Sequence, residues 1–422
     1  MLPLREVLTE RREAVQVDDV LGDWQAITIK FSGQVLPRER TAAFKGSMFA
    51  AYPGDLAFSK IDARNGAVGL IPDGIPKAVV TSEYPVFIPN GDRLRANYLN
   101  HLLRAEHFKA DLQRQASGTS GRKRVTPEGF LSLEVPVPSL DEQDGLVAAY
   151  AEALTRAAQL EQEAEVIERA GWQAFETALG VAPSPPLPDR PVFVARFKDV
   201  ERWSHESILR AFAHSPSTDS LYPTVPLGQM AKVSYGIQKC PANRPAVHPR
   251  PYLRVANVQR SVLDLREIKL INVPDEEMSK LRLEAGDVLL CEGNSPDLVG
   301  RGAIWHGEIQ DCVHQNHVLR VRVNRERLLP EFVLAVINSS HGQAYFRSKA
   351  KRTTNLASIN SKEVAGLPVP ELPLAQQQDV LDELTAQIQT AQYKRGEAAT
   401  LRQSAWAVFE SALFTTHEES AV

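Results

Sequence analysis

Two long stretches of the chain carry apolar residues at alternating four- and three-residue spacing, the pattern of a coiled-coil seam. In the first stretch these positions are Leu146, Tyr150, Ala153, Ala157, Leu160, Ala164, Ile167 and Gly171, and in the second they are Val380, Leu384, Ala391, Ala398, Leu401 and Ala405, interrupted by Gln387 and Lys394. The many alanines favour close approach of two helices. The pattern therefore predicts two long helices that pair with each other. The alternative is that each helix packs only on its own neighbouring domain.

Short apolar runs precede each long helix. Residues 67–71, 79–81 and 318–323 are rich in Val, Ile and Leu and are bounded by Gly, Pro and Asn, which is typical of strands. One amphipathic helix is expected in each region, near residues 97–112 and 330–346. Each long helix is therefore predicted to follow a module that mixes helices and strands.

The clearest signal in the sequence is an internal repeat. The pattern W-x-x-F-E-(T/S)-A-L occurs at residues 172–179 and recurs 234 positions later at 406–413. Upstream, the Pro-Val-Pro stretches 135–138 and 367–370 match at an offset of 232, as do Gly-Asp turns at Asp55 and Asp287. A glutamine opens each long helix, and we match Gln143 with Gln378. The chain is thus predicted to be a tandem duplication.

The fold predicted from these patterns is α+β. Two similar mixed α/β domains are separated by two long helices, which pair as an antiparallel coiled coil in a pseudo-twofold internal repeat. We place the first domain at 1–136, the first helical region at 137–182, the second domain at 183–368 and the second helical region at 369–416. The Pro-rich residues 183–188 are expected to form a stiff linker.

Composition narrows the class of protein. The chain has 422 residues, of which 43% are hydrophobic and 24% charged, which excludes a mainly disordered chain and a multi-span membrane protein. Three cysteines, Cys240, Cys291 and Cys312, are odd in number, so a disulfide framework is not expected. With no export signal at the N-terminus, we expect a cytoplasmic protein without a membrane partner.

The net charge of −4 argues at first against nucleic-acid binding. The acidic residues are concentrated in the long helices, however. Residues 141–179 hold nine acids and two bases, and residues 375–413 hold five acids and three bases, which leaves the rest of the chain at +5. The modules are therefore mildly basic, and nucleic-acid binding stays open.

No sequence motif for catalysis is present. The chain has no phosphate-binding loop, no dinucleotide-binding glycine motif and no H-E-x-x-H. The nearest approach to a nuclease cluster is Asp287 with Glu292, but Asn294 stands where a lysine is usual. Turn chemistry explains the Gly-Asp pairs without catalysis. We predict no catalytic residue, and keep a metal-dependent DNA nuclease at Asp287 and Glu292 as an alternative.

A metal site is not expected either. Cys312, His314 and His317 lie close together in sequence, beside His306, but this spacing fits no common zinc finger and has no counterpart in the first module. We therefore predict that the chain holds no metal and no cofactor.

Two basic, hydroxyl-rich loops lie at comparable positions before the Pro-Val-Pro stretches, at residues 117–124 and 347–355. Arginine and lysine neutralise phosphates, and hydroxyl and amide groups add hydrogen bonds that fix the register on nucleic acid. Because the loops occur in both copies, we predict that they bind DNA. The candidate contacts are Ser120, Arg122, Lys123 and Arg124 in the first loop and Lys349, Lys351, Arg352, Thr353 and Asn355 in the second.

A second group of candidates can read base edges, since Arg, Asn and Gln form bidentate hydrogen bonds in the major groove. These are Lys60, Arg64 and Asn65 in the first module and Asn294, Arg301, Gln315 and Asn316 in the second. The two modules match at framework positions and differ elsewhere, so they are expected to read different short sequences. A coiled-coil adaptor without a DNA role is the other alternative.

Taken together, the motifs resemble those of the specificity (S) subunit of type I restriction-modification systems. The resemblance rests on residues 136–143 and 368–378, on the helices with their W-x-x-F ends and on the Gly-Asp turns. It also rests on Val225-Pro226-Leu227-Gly228, which opens the second module. The stretch from Val20 to Trp24 matches that opening only loosely in the first module.

This resemblance implies a non-catalytic subunit with two target-recognition domains, each reading one half of a bipartite site in double-stranded DNA. It implies that the paired helices dock two adenine methyltransferase subunits, to which restriction and translocase subunits can be added. S-adenosylmethionine would then bind to the methyltransferase partner and not to this chain. The expected roles are DNA methylation and phage defence.

Overall fold

The computed structural model describes residues 1–16, 23–39, 47–115, 124–180, 221–294, 298–352 and 357–415. These residues fall into two compact units. Unit 1 comprises Met1–Gln162 together with Lys394–Val422, and unit 2 comprises Glu163–Tyr393. Each long helix therefore contributes one part to unit 1 and the other part to unit 2. The prediction of four consecutive segments stays a prediction.

Unit 1 contains three sheets. The strands are β1 (Leu2–Pro3), β2 (Leu8–Arg11), β3 (Ala14–Val15), β4 (Gln25–Ile29), β5 (Val35–Pro37), β6 (Met48–Ala51), β7 (Leu56–Phe58), β8 (Val68–Leu70), β9 (Ala78–Thr81), β10 (Val86–Pro89) and β11 (Glu134–Val135). β1 pairs with β11, four strands have the order β2-β10-β7-β8, and five strands have the order β3-β6-β9-β4-β5. All of these pairs are antiparallel except β4 with β9.

Three short helices of unit 1 cover the four-stranded sheet. They are α1 (Ala96–Leu102), α2 (Glu106–Gln115) and α3 (Pro127–Leu131), and α4 (Leu140–Ala178) is the first long helix. The core beneath them contains stacked rings of Phe58, Phe87 and Phe130, with centroid separations of 4.4 to 6.0 Å. Thr126 caps α3 by accepting a hydrogen bond from Gly129 N, and Pro127 occupies the first turn.

Unit 2 contains four sheets. Its strands are β12 (Thr224–Pro226), β13 (Ala231–Ser234), β14 (Pro249–Leu253), β15 (Lys269–Asn272), β16 (Asp287–Cys291), β17 (Gly293–Asn294), β18 (Gly302–Trp305), β19 (Val313–His314), β20 (Val318–Val323), β21 (Lys351–Arg352), β22 (Ala357–Ser358) and β23 (Pro368–Pro370). β12 pairs with β23, and the other sheets have the orders β13-β20-β16-β18, β15-β14-β19 and β17-β22-β21.

The helices of unit 2 are α5 (Asp275–Leu281), α6 (Pro330–Asn338), α7 (Ser340–Lys349), α8 (Ser361–Ala365) and the second long helix, α9 (Leu374–Thr415). The largest core cluster lies between the four-stranded sheet, α6 and α7, and includes Phe332 and Phe346, both fully buried. Asn360 caps α8 in a capping box with Glu363.

The internal repeat is present in the structure, which confirms that the chain is duplicated. The sheet β2-β10-β7-β8 of unit 1 has the same strand order as β13-β20-β16-β18 of unit 2. The helices α1, α2, α3 and α4 begin 234 residues before α6, α7, α8 and α9. The chain belongs to the mixed helix-and-strand class that the sequence predicted.

The structure corrects the first part of the repeat. β1 pairs with β11 as β12 pairs with β23, and Leu4 and Leu227 each donate a backbone hydrogen bond, to Leu133 O and Leu367 O. The counterpart of the opening at Val225 is therefore Leu2, and not the loosely matching stretch from Val20 to Trp24, of which residues 20–22 lie outside the described residues. The Pro-Val-Pro stretches consequently align at 234, not 232.

The glutamine pairing is also corrected. Gln143 accepts a hydrogen bond from Arg95 N and donates to Arg93 O and Pro138 O, at 2.8 to 2.9 Å. Gln377 makes the same three bonds, accepting from Leu329 N and donating to Arg327 O and Leu372 O. Both side chains are buried, whereas Gln378 is exposed and bonds to Asp382. The partner of Gln143 is therefore Gln377, not Gln378.

The prediction of one amphipathic helix per module is wrong, because each region forms two helices. In unit 2 the break falls at Ser339, whose extended backbone ends α6 and whose side chain caps α7 by accepting from Gly342 N. A Cβ at Gly342 would lie 2.2 Å from Val336 O, so a side chain has no room there. The predicted strands at 67–71, 79–81 and 318–323 are confirmed as β8, β9 and β20.

The long helices pair in an antiparallel sense within each unit. In unit 1, Tyr150 of α4 contacts Trp406 and Phe409 of α9, and Leu160 packs with Ala398. Numbers thus fall along α9 as they rise along α4. In unit 2, a Cβ at Gly171 would lie 2.8 Å from the Cβ of Gln387. The predicted seam is confirmed, and Gln387 is a close contact in it despite its polarity.

Each module packs against the end of the other copy's long helix. In unit 1, Phe409 of α9 lies 6.4 Å from Tyr98 between ring centroids, and Glu410 accepts a hydrogen bond from Glu106 N at the start of α2. In unit 2, Phe175 of α4 lies 6.2 Å from Phe332, and Glu176 accepts from the backbone and hydroxyl of Ser340 at the start of α7. The repeated F-E pair therefore joins helix to module in both units.

Candidate nucleic-acid interface

The aspartates of the Gly-Asp turns have structural partners. Asp55 accepts hydrogen bonds from Tyr52 N and from the Arg11 guanidinium at 2.7 and 3.1 Å. Asp287 likewise accepts from Glu284 N and from Arg322 at 2.7 and 2.8 Å. Gly54 and Gly286 have φ of +85° and +93°, which an L side chain rarely adopts. The carboxylates therefore hold a turn to a neighbouring strand, and Asp287 has its oxygens occupied.

The cysteine and histidine side chains of unit 2 do not converge. His314 is buried and its Nδ1 lies 2.7 Å from Val318 O, and burial lowers its pKa to about 4. Burial raises the pKa of the Cys312 thiol to about 12. His317 Nδ1 lies 2.6 Å from a carboxylate oxygen of Glu292. Among the described residues, no group of three or more His, Cys, Asp or Glu side chains is placed to hold a metal.

Four candidates of unit 1 fall in the described residues. Lys60 lies half-buried after β7, and its backbone bonds to Glu83 O and to Val125 N. Arg64 and Asn65 follow in a short 3-10 turn, Arg64 half-buried and Asn65 exposed. Arg124 is exposed and pairs with Glu83 at 3.4 Å. Lys60, Glu83 and Arg124 are thus brought together.

An exposed ion pair of this kind contributes at most about 1 kcal/mol, so the Arg124 guanidinium is free to exchange partners. Ser120, Arg122 and Lys123 of the same loop lie outside the described residues. The assignment of these seven residues to DNA contacts stays a prediction.

In unit 2, Gln315 and Asn316 form the turn between β19 and β20. Gln315 N donates to Leu253 O and Asn316 N to Ile237 O, which leaves both side chains half-buried at the module surface. The backbone of Asn294 lies on β17 and pairs with Ala357 of β22. The assignment of these three residues to base contacts stays a prediction.

The second predicted loop is partly helical. Arg347 to Lys349 form the last turn of α7, because the capped helix continues that far, and Lys351 and Arg352 form β21. Lys349 is half-buried and Lys351 exposed. Thr353 and Asn355 lie outside the described residues. The loop is therefore shorter than the sequence indicated.

Arg301 differs from the other candidates because it is only 8% exposed. Its Nη2 lies 3.4 Å from Val255 O, and its buried Nε has no hydrogen-bond partner. Arg260 and Arg347 lie in the same region, and their charges act on one another. We call these three residues the arginine cluster. The sequence analysis did not select Arg260, because it lies 41 residues before Arg301 and no motif connects the two positions.

No helix among the described residues is both long enough and apolar enough to cross a bilayer. The acidic character predicted for the long helices is consistent with this, since α4 and α9 expose charged side chains such as Glu161, which pairs with Arg402.

No protein-family model matches the sequence. Four curated proteins show significant similarity, and all are named as specificity subunits of type I restriction enzymes. The putative MjaX specificity subunit of Methanocaldococcus jannaschii is 28% identical over 131 residues, which are 31% of this chain and 31% of that protein. The StySPI specificity subunit of Salmonella potsdam is 23% identical over 295 residues, 68% of this chain and 57% of that protein.

The matches thus span little more than half the length of these curated relatives, or less. Among solved structures, the HsdS subunit from Thermoanaerobacter tengcongensis has a TM-score of 0.54 and 16% identity, and the match covers 98% of this chain and 96% of that one. The chain therefore has the fold of an HsdS subunit along nearly its whole length. The resemblance to type I specificity subunits drawn from the motifs is confirmed.

Proposed function

We propose that the chain is a non-catalytic DNA-specificity subunit that reads a bipartite duplex site and scaffolds adenine methyltransferase subunits. The observation that carries this proposal is the duplicated fold, in which two modules share a framework and differ in their exposed residues. Two unlike readers in one chain suit a target made of two unlike half-sites. The names of the curated relatives support the same role.

The two modules present different candidate side chains at their surfaces. Unit 1 presents Lys60, Asn65 and Arg124, whereas unit 2 presents Gln315 and Asn316 in the turn before β20. Side chains of these types bind phosphates or base edges. Asp287, on which a nuclease was to depend, is instead engaged by Arg322 and a backbone amide. The structure thus gives that alternative no support at its predicted site.

The test is to map methylated adenines in host DNA when the full chain is expressed with its methyltransferase subunits. We expect a split motif of two short half-sites with a fixed spacer, and no methylation or cleavage by the chain alone. A continuous motif, or turnover by the chain alone, would contradict the proposal. S-adenosylmethionine is expected to bind only to the methyltransferase.

Point variants assign each half-site to a unit. We expect Asn65→Ala to relax one half of the motif and Gln315→Ala to relax the other, by about 1–3 kcal/mol at the base pair concerned. The matched control is Asn243→Ala, a half-buried asparagine of unit 2 whose side chain bonds to Gln238 O. Loss of the whole motif in either variant would indicate misfolding instead of altered reading, and circular dichroism distinguishes the two outcomes.

A further inference from the structure

Three guanidinium groups from distant parts of the sequence meet in unit 2. The tight turn of residues 259–262 carries Arg260, and the next residue, Ser261, donates a backbone hydrogen bond of 2.8 Å to Gly302 O. Gly302 directly follows Arg301 and begins β18. The turn therefore holds Arg260 beside the strand that begins next to Arg301.

The third arginine comes from α7. Arg260 Nη2 donates to Gln343 Oε1 at 3.1 Å, and Gln343 lies one helical turn before Arg347 on the same face. Burial lowers the pKa of Arg260, and the charges of Arg347 and Arg301 lower it further. The arginine cluster thus concentrates three positive charges where the turn 259–262, the start of β18 and α7 meet.

The part of the chain that the structure describes places no negative counter-charge on the cluster. No ion pair joins any of its three members to a carboxylate among the described residues. The Nε atoms of Arg301 and Arg347 are buried, and the described residues offer them no hydrogen-bond acceptor. Leaving such a buried donor unpaired is unfavourable, and the repulsion between like charges adds to the cost. An anion with several oxygens would relieve both.

We propose that the arginine cluster binds a phosphodiester of the duplex DNA backbone, an assignment that rests on the function proposed above. Guanidinium groups match phosphate oxygens in pairs of parallel hydrogen bonds and do so without changing protonation state. The exposed Lys351 lies four residues after Arg347, at the start of β21, so the basic surface continues from the cluster. The contact fixes the position of unit 2 on DNA without reading sequence.

The experiment uses the full chain, a labelled duplex of about 30 base pairs and fluorescence anisotropy over a range of salt concentrations. Arg260→Gln/Arg347→Gln removes two charges and spares the more buried Arg301. We expect about ten- to hundred-fold weaker binding at low salt, and a salt slope smaller by about 2. Arg260→Lys/Arg347→Lys keeps the charge and should restore the slope.

The matched control is Arg266→Gln. Arg266 is an exposed arginine of the same segment, and it is already neutralised by Asp264 at 2.5 and 2.9 Å. Its loss should leave the salt slope within error of the wild type. Circular dichroism of every variant confirms that the fold is kept.

The outcomes separate this inference from the function. If the wild type binds duplex with a steep salt slope and the double glutamine variant keeps that slope, the cluster is structural and the inference is overturned while the function stands. If the wild type shows no salt-dependent duplex binding, alone or with its methyltransferase, both fail. If inorganic phosphate raises the melting temperature of the wild type but not of the double glutamine variant, while both bind duplex equally well, the ligand is a free anion and the inference is overturned.

Discussion

The two units hold the Gly-Asp turn with the same kind of ion pair, but the arginine comes from a different strand in each. In unit 1 the aspartate of the Gly-Asp turn pairs with Arg11, which lies on β2, two strands away in sheet order. In unit 2 the equivalent aspartate pairs with Arg322 on β20, the adjacent strand. The ion pair is preserved although the arginine comes from a different strand, which indicates that the turn requires the charge and not a particular position.

The units differ most beyond the shared four-stranded sheet. Unit 1 adds a five-stranded sheet there, whereas unit 2 adds the two three-stranded sheets. The arginine cluster is specific to unit 2 although Arg301 and Arg347 lie at shared elements, since 234 residues before them the chain has Ala67 and Gln113. The framework is thus held constant while the surface that meets a ligand is free to change.

The largest expected effect tests whether the contact of each repeated phenylalanine with a module stabilises only the unit in which it lies. Phe175→Ala and Phe409→Ala each remove a buried ring and should cost about 3–5 kcal/mol. Hydrogen exchange should rise in α6 for Phe175→Ala and in α1 for Phe409→Ala. The exposed Val166→Ala and Val408→Ala are the matched controls and should change exchange little. Equal loosening of α1 and α6 by either phenylalanine variant would contradict the comparison.

A second test uses pH, because unit 2 buries a histidine that unit 1 lacks at the equivalent position. The pKa of His314 is about 4 in the folded chain and about 6.5 in the unfolded chain, so the unfolded state binds the proton first as pH falls. The contribution of neutral His314 to the free energy of unfolding is fully present above pH 6.5. It is lost as the pH falls to 4, by about 3 kcal/mol in total.

Urea unfolding at pH 7 and pH 4.5 measures this loss. His314→Leu should be less stable at pH 7, because Val318 O loses its partner, but should show a smaller drop on acidification. His306→Asn, at an exposed position of the same unit, should behave as the wild type. An unchanged acid response in His314→Leu would show that another group governs it.

The smallest expected effect concerns the glutamates that follow the two phenylalanines. Glu176 is 7% exposed and accepts two hydrogen bonds from Ser340, whereas Glu410 accepts one at a more exposed site. Glu176→Ala should therefore cost about 1–2 kcal/mol and Glu410→Ala less than about 1 kcal/mol, as for helix caps. The midpoints of urea unfolding measure both losses of stability. A larger loss from Glu410→Ala than from Glu176→Ala would contradict this order.

The framework was predictable because its signals are periodic or repeated. The seam residues Leu160 and Ala398 and the motif around Phe175 follow regular spacing, and their pairing is seen in the structure. The exact register of the repeat was not predictable, since a run of three glutamines at 376–378 offers no local reason to prefer Gln377. Only its hydrogen bonds decide the alignment, two of them to a turn about 50 residues away.

The ligand surface was less predictable than the framework. Arg301 was selected by residue type, but its burial and its neighbour Arg260 depend on how a distant turn docks on β18. The break between α6 and α7 was also missed, because the apolar pattern continues across Ser339 and only the capping hydrogen bond to Gly342 reveals it. Tertiary contacts decided each of these points.

Unit 1 is assembled from the two extremes of the chain, since the core beneath α1 includes Phe409 and Leu413. A ribosome therefore finishes the whole of unit 2 before it supplies the last pieces of unit 1. Part of the apolar surface of the first module therefore stays exposed while more than two hundred further residues are synthesised. Folding of this protein is consequently nested and not sequential, and the first domain to be made is the last to be completed.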